Sequence, residues 1–158
     1  MMDKMKLVVD RLIKCNKTIS SMESCTGGCF ANMVTNIPGS SDVLKFSAVT
    51  YSNEFKIKMG VSSETIDKYS VYSIECAKEM SKSISDFTNS SYGVGITGKI
   101  NRLDKYNIVG SDNLVYVSIY DRDLDKYYTM SIDTIDDSRE ENKKMIIRNI
   151  VELLLTII

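Results

Sequence analysis

Thr18-Ile19-Ser20-Ser21-Met22, then Glu23-Ser24-Cys25-Thr26-Gly27-Gly28, then Phe30, Ala31, Met33 and Val34 at helical spacing, read as a strand, a turn of small residues and a helix. Asn36-Ile37-Pro38-Gly39 stops the helix. In an α/β sheet, ligands bind at the carboxyl ends of the strands, and the helix that follows offers unpaired N–H groups to an anion or oxyanion. The turn at residues 23–28 occupies that place. Its two glycines let the backbone approach a ligand closely. Ser24 is either displayed on the turn as a nucleophile or caps the helix.

On either side of this unit strands and helices alternate. Met5, Val8, Val9, Leu12 and Ile13 predict an amphipathic N-terminal helix. A second strand is expected at 46–52, where Phe46, Ala48, Val49 and Tyr51 fit a sheet buried on one or both faces. Short helices follow at 53–59 and 63–68. A longer one at 73–87 carries Ile74, Ala77, Met80, Ile84 and Phe87 on its apolar side. Residues 92–97 read as a third strand, and 114–120 with 127–132 as a hairpin joined by the polar turn 121–126. A final helix starts near Asp137 or Ser138, with Glu140 and Glu141 in its first turn. The pattern predicts one domain over 1–158, an α/β fold built as a three-layer α/β/α sandwich around a mixed, mostly parallel sheet of about five strands. Residues 99–113 form the longest segment without an expected element. The apolar C-terminal run, ending Leu153-Leu154-Leu155-Thr156-Ile157-Ile158, is expected to pack into the core, the alternative being a homo-oligomer interface.

Composition narrows the chemistry. The 158 residues include no histidine and no tryptophan, which removes Ser-His-Asp and Cys-His catalysis and every zinc site built on histidine. With 20 Lys+Arg against 21 Asp+Glu there is no global basic field, so no nucleic-acid partner is expected. Charges break up both terminal apolar runs, which predicts neither a signal peptide nor a membrane span, and hence a cytoplasmic protein. The four cysteines, Cys15, Cys25, Cys29 and Cys76, are expected to be reduced thiols rather than metal ligands, and no metal or cofactor is expected. Asp121, Asp123 and Asp125 imitate the start of a calcium loop, but Lys126 stands where glycine is needed and Ile132 where glutamate is needed. They read as solvated charges of a hairpin turn.

The motifs become specific in combination. Glu23-Ser24-Cys25-Thr26-Gly27-Gly28, Pro38-Gly39-Ser40-Ser41-Asp42, Val49-Thr50-Tyr51-Ser52-Asn53-Glu54-Phe55-Lys56 and Met59-Gly60-Val61 follow one another in order. Together they resemble the C-terminal domain family of CinA, the competence/damage-inducible protein. The likeness continues more weakly through Val71-Tyr72-Ser73, Ile96-Thr97-Gly98 and Asp137-Ser138-Arg139, and so spans nearly the whole chain. Full-length relatives carry an additional N-terminal nucleotide-processing domain, for which 158 residues leave no space. Stand-alone members are nicotinamide-mononucleotide amidohydrolases, which convert the carboxamide to the acid and release ammonia with a serine nucleophile and a lysine base. The resemblance therefore implies Ser24 as nucleophile, Lys56 as base and Tyr51 as a nearby participant. It further implies Thr26, Gly27, Gly28, Ser40, Thr97 and Arg139 as substrate-binding residues, and a small pyridine nucleotide as the partner.

Such a dyad needs no histidine. It works if Lys56 is neutral when it accepts the serine proton, and burial or a nearby helix N-terminus favours the neutral amine. The proton passes to Lys56 directly or through the Tyr51 hydroxyl, and backbone N–H groups around Thr26 and Gly27 are the candidates for an oxyanion hole. Cys25 is an alternative nucleophile, although a thiolate usually needs a cationic neighbour. The chain departs from the family at several points. Lys99-Ile100-Asn101-Arg102 and Ile108-Val109-Gly110-Ser111-Asp112 stand in place of glycine- and proline-rich signatures. Lys143 takes the place of a second arginine, and Ser70 that of a glycine. These departures keep open a second reading, a catalytically degenerate member that acts as a nucleotide-binding or interaction module.

Overall fold

A computed structural model describes residues 1–101, 106 and 111–158. The expected loop at 99–113 therefore lies partly outside the described residues. In chain order the elements are α1 (Met2–Lys14), β1 (Ile19–Glu23), α2 (Cys29–Thr35), a 3-10 turn at Ser40–Asp42, β2 (Leu44–Val49), α3 (Asn53–Lys58), α4 (Ser63–Tyr69), α5 (Ile74–Thr88), β3 (Tyr92–Gly98), β4 (Leu114–Asp121), β5 (Lys126–Asp133) and α6 (Arg139–Ile157). The strands form one sheet in the order β2-β1-β3-β4-β5. β1 pairs parallel with β2 and β3, while β4 runs antiparallel to both β3 and β5, so β4 alone points the other way. Helices cover both faces, as the three-layer expectation requires.

The faces are packed by different means. Under α1, α2 and α6 lies the large apolar core, where Met5, Val9 and Leu12 of α1 and Phe30 of α2 meet Val94 and Ile96 of β3 and Ile146, Ile147 and Ile150 of α6. The C-terminal helix is thus a core helix. Its start is fixed by Ser138, whose side chain accepts from the Glu141 N–H at 3.1 Å, and by buried Asn142, which bonds the main chain of Ile135 through both its amide atoms. On the other face α5 lies almost backbone to backbone on β3. A Cβ on Gly93 would sit 1.9 Å from the Ser81 carbonyl oxygen, and one on Gly95 would sit 2.3 Å from that of Ala77.

That close approach explains one departure from the expected pattern. The stripe of α5 that touches the sheet runs through Ala77, Ser81 and Ser85, and Phe87 is left 67% exposed, in tilted contact with Phe46 with ring centroids 5.6 Å apart. β2 departs likewise. It is an edge strand ending at Val49, so Phe46, Val49 and Tyr51 are exposed rather than buried. Ile13, expected on the apolar stripe of α1, is also largely exposed. At the β4–β5 turn, Asp121 is buried rather than solvated, because its carboxylate accepts the N–H groups of Asp123 and Leu124.

Candidate active site

The turn after β1 is organised by a residue to which the sequence reading assigned no role. Glu23 is fully buried at the end of β1, and its carboxylate accepts from the Thr26 hydroxyl at 2.6 Å and from the N–H groups of Phe30 at 3.1 Å and Ala31 at 3.0 Å. These last two are orphan donors of the first turn of α2, so Glu23 does from a distance what a capping side chain does locally. The residue in the cap position is Gly28, with φ +92° and no side chain to offer. Ser24 is consequently not the cap. Its N–H bonds the Ile96 carbonyl of β3 at 2.9 Å, and its own carbonyl accepts the Gly27 N–H at 2.9 Å, which holds it at the carboxyl end of the sheet.

Lys56 comes to Ser24 from the other side. Ser52 caps α3 by accepting the Phe55 N–H at 3.3 Å, and the following turn carries Lys56 inward until it is 2% exposed. The Lys56 Nζ donates to Ser24 Oγ at 3.1 Å and to the Thr50 carbonyl at 2.7 Å. Thr50 is fixed in turn by its N–H bond to the Glu23 carbonyl at 2.8 Å. A serine hydroxyl and a lysine amine from two motifs 32 residues apart are thereby brought into hydrogen-bond contact.

The neighbouring thiols stay neutral. Burial pushes Cys25 up to about 12, only partly countered by the positive charge of Lys56, and it does the same to Cys76. At neutral pH Cys25 is therefore a protonated thiol and a poor nucleophile beside Ser24.

The remaining candidates fall into different places. Tyr51 is 66% exposed and makes no hydrogen bond to Ser24 or Lys56 among the described residues, so the contact between those two is direct. Gly27 is not a free oxyanion donor, since its N–H is taken by Ser24; the N–H groups of Thr26 and Gly28 have no partner among the described residues. Thr97 lies beside Ser24, but it is fully buried and its hydroxyl donates to the Val71 carbonyl at 2.8 Å, fastening the 70–73 segment over the end of β3. Ser40 lies at the wrong end of the sheet for a role in its own chain's site. Its 3-10 turn leads into the start of β2, where the Val43 carbonyl meets the N–H of Ile19, about 17 Å of strand from Ser24. Arg139 is exposed at the start of α6 and donates to the Ile100 carbonyl at 2.7 Å.

A groove between α2 and α6 reaches the turn, with Gly27 and Gly28 on one wall and Glu140, Lys143 and Lys144 on the other. Lys144 is paired with Glu140 and Glu141, whereas Lys143 makes no salt bridge among the described residues and reaches to 3.4 Å from where a Gly27 Cβ would stand. A second lysine, Lys99, is buried just past the end of β3. Among the described residues no cluster of three or more Cys, Asp or Glu could hold a metal ion, and no helix is long and apolar enough to cross a membrane.

Comparison with known proteins identifies the family and the fold. The family profile of the CinA C-terminal domain matches residues 2–158. A putative competence-damage inducible protein of Clostridium kluyveri is 41% identical over 129 residues, which cover 75% of this chain and 29% of that protein. A CinA-like protein of Fervidobacterium nodosum is 45% identical over 93 residues, covering 58% of this chain and 23% of that protein. The chain thus spans about a quarter of the length of these relatives. Among solved structures, the competence/damage inducible protein CihA from Agrobacterium tumefaciens superposes with a TM-score of 0.82 at 26% identity, covering 97% of this chain and 94% of that one. A competence or damage-inducible protein from Enterobacter asburiae shares the fold with a TM-score of 0.87 at 20% identity, covering 98% and 96%.

Proposed function

The chain belongs to the CinA C-terminal domain family, and from that premise we propose that it is a serine–lysine amidohydrolase converting the carboxamide of nicotinamide mononucleotide to nicotinate mononucleotide and ammonia. The observation that carries this reading is the 3.1 Å contact between Lys56 and Ser24 in a chain without histidine. Burial disfavours the charged form of an amine, and a neutral Lys56 takes the serine proton as Oγ attacks the amide carbon. The N–H groups of Thr26 and Gly28 are the available donors to the oxyanion that develops. Collapse of the tetrahedral intermediate breaks the C–N bond, and Lys56 returns its proton to the departing nitrogen, which leaves as ammonia. Water then attacks the acyl-serine ester with Lys56 again accepting a proton, and Oγ recovers that proton as the acid is released. These side chains and backbone donors suffice for each step.

The test is ammonia release from nicotinamide mononucleotide by purified protein. Steady release that S24A abolishes supports the reading, and equal release by S24A overturns it. The Lys99-Ile100-Asn101 stretch, which stands where the family resemblance expects glycines, favours a second reading in which the cleft binds the nucleotide without hydrolysing it. Calorimetric binding of the nucleotide with no ammonia release selects that alternative.

A further inference from the structure

Lys99 is 3% exposed, an unusual state for a lysine and a costly one unless the charge is matched. Its match is loose. Nζ stands 4.8 Å above the ring of Tyr72, and its one salt bridge among the described residues goes to Asp112 Oδ1 at 3.4 Å. Charge-assisted N–H···O bonds are normally about 2.7–2.9 Å. The Asp112 side chain is 49% exposed, so the partner of this buried ammonium stands half in solvent. An anion of higher charge can compete with this half-exposed carboxylate for the ammonium.

The position is also informative. β1 and β3 run parallel, with Glu23 opposite Ile96, and the Ser24 N–H bonds the Ile96 carbonyl. Lys99 follows Thr97 by two residues on the α5 face, about 7 Å further along the chain. That is the face where Cys76 of α5 feels the charge of Lys56. Lys99 therefore lies beyond the Ser24–Lys56 contact, past the carboxyl end of β3. The offset suits a substrate whose anionic group is separated from its scissile amide by a ring and a sugar.

We propose that Lys99 is the anion-recognition residue of this site: it takes the phosphate monoester of the substrate in exchange for Asp112, with the Tyr72 ring as the wall of the subsite. The ligand class rests on the amidohydrolase reading above, but the anion site does not. Lys99 is buried, so its charge is worth more to an incoming anion than that of a solvated surface lysine.

The experiment compares nicotinamide mononucleotide with its riboside, which lacks only the phosphate, by calorimetry in the S24A background. The nucleotide should bind about tenfold tighter than the riboside, K99M should reduce that preference to within about twofold, and K99R should retain most of it. D112N, which removes the competing carboxylate without opening the core, should tighten nucleotide binding about threefold. A preference that survives K99M but falls in K143Q places the phosphate in the α2–α6 groove and overturns the proposal, as does a preference that survives both. A parallel thermal-unfolding series uses inorganic phosphate against chloride at constant ionic strength. Stabilisation by phosphate that is lost in K99M, with neither nucleoside bound, keeps the anion site and overturns the nucleotide reading. No stabilisation by phosphate and no nucleotide preference in the protein with Lys99 intact overturns the anion site itself.

Discussion

Lys56 and Lys99 are two buried lysines at the same end of one sheet, 2% and 3% exposed, and they are held in opposite ways. Lys56 donates to a hydroxyl and a main-chain carbonyl, and the two thiols whose titration its charge influences, Cys25 and Cys76, stay protonated. Lys99 faces an aromatic ring and a carboxylate. One residue type thus meets two different sets of partners at one end of the sheet.

The comparison breaks most visibly at Lys56. K56M should lower kcat for ammonia release by about 10³-fold while its far-UV spectrum and melting temperature stay close to those of the parent. A K56M protein that retains its rate would leave Lys56 as a structural lysine of the same standing as any other.

The neutrality of the thiols near Lys56 is tested by alkaline unfolding. Cys25 and Cys76 are raised from 9.0 to about 12 in the folded chain, so between those values the folded state holds protons that the unfolded state has released. Their contribution is complete below pH 9 and is lost as pH rises toward 12, at roughly 1.4 kcal/mol per pH unit for each thiol. Urea unfolding at pH 8 and pH 10.5 should show this fall, and C25A should have the shallower slope.

A smaller effect concerns the segment over Lys99. Ser70 has φ +70°, a left-handed conformation that glycine adopts freely and serine does not, and it begins the stretch that Thr97 fastens down at Val71. S70G should raise stability by about 1 kcal/mol in urea titrations; an unchanged or lowered midpoint would mean that the Ser70 side chain, which accepts the Tyr72 N–H at 3.3 Å, outweighs the strain. Smallest is T50V. The Thr50 hydroxyl is buried with no hydrogen-bond partner among the described residues, so replacing it with a methyl should leave stability unchanged or raise it by about 0.5 kcal/mol.

Much of this was legible in the chain. The alternation of strands and helices, the Ser138–Glu141 start of α6 and the burial of the C-terminal helix follow from local periodicity and capping chemistry. Ser24 and Lys56 stood out through the resemblance to a family, because a serine in a small-residue turn and a lysine in a short helix carry no special signal alone. Where Ser40 falls was not legible: its motif lies in order between two others, yet motif order along a chain says nothing about which end of a parallel sheet each motif reaches. Glu23 had a weak signal, a carboxylate closing a buried strand just before a glycine-rich turn. Lys99 had none, since a lysine after Thr-Gly reads as a solvated loop charge.

By itself the sequence determined the layers and the chemistry left available: periodicity sets which face of each element is apolar, and the absence of histidine restricts which side chain can serve as base. Tertiary structure alone decided what each lysine meets. A lysine's role depends on burial and on the groups within about 5 Å of its nitrogen, and those groups come from the turn after β1, the Thr50 main chain, the Tyr72 segment and the approach to β4, far apart in sequence. Only the folded sheet brings them to one edge.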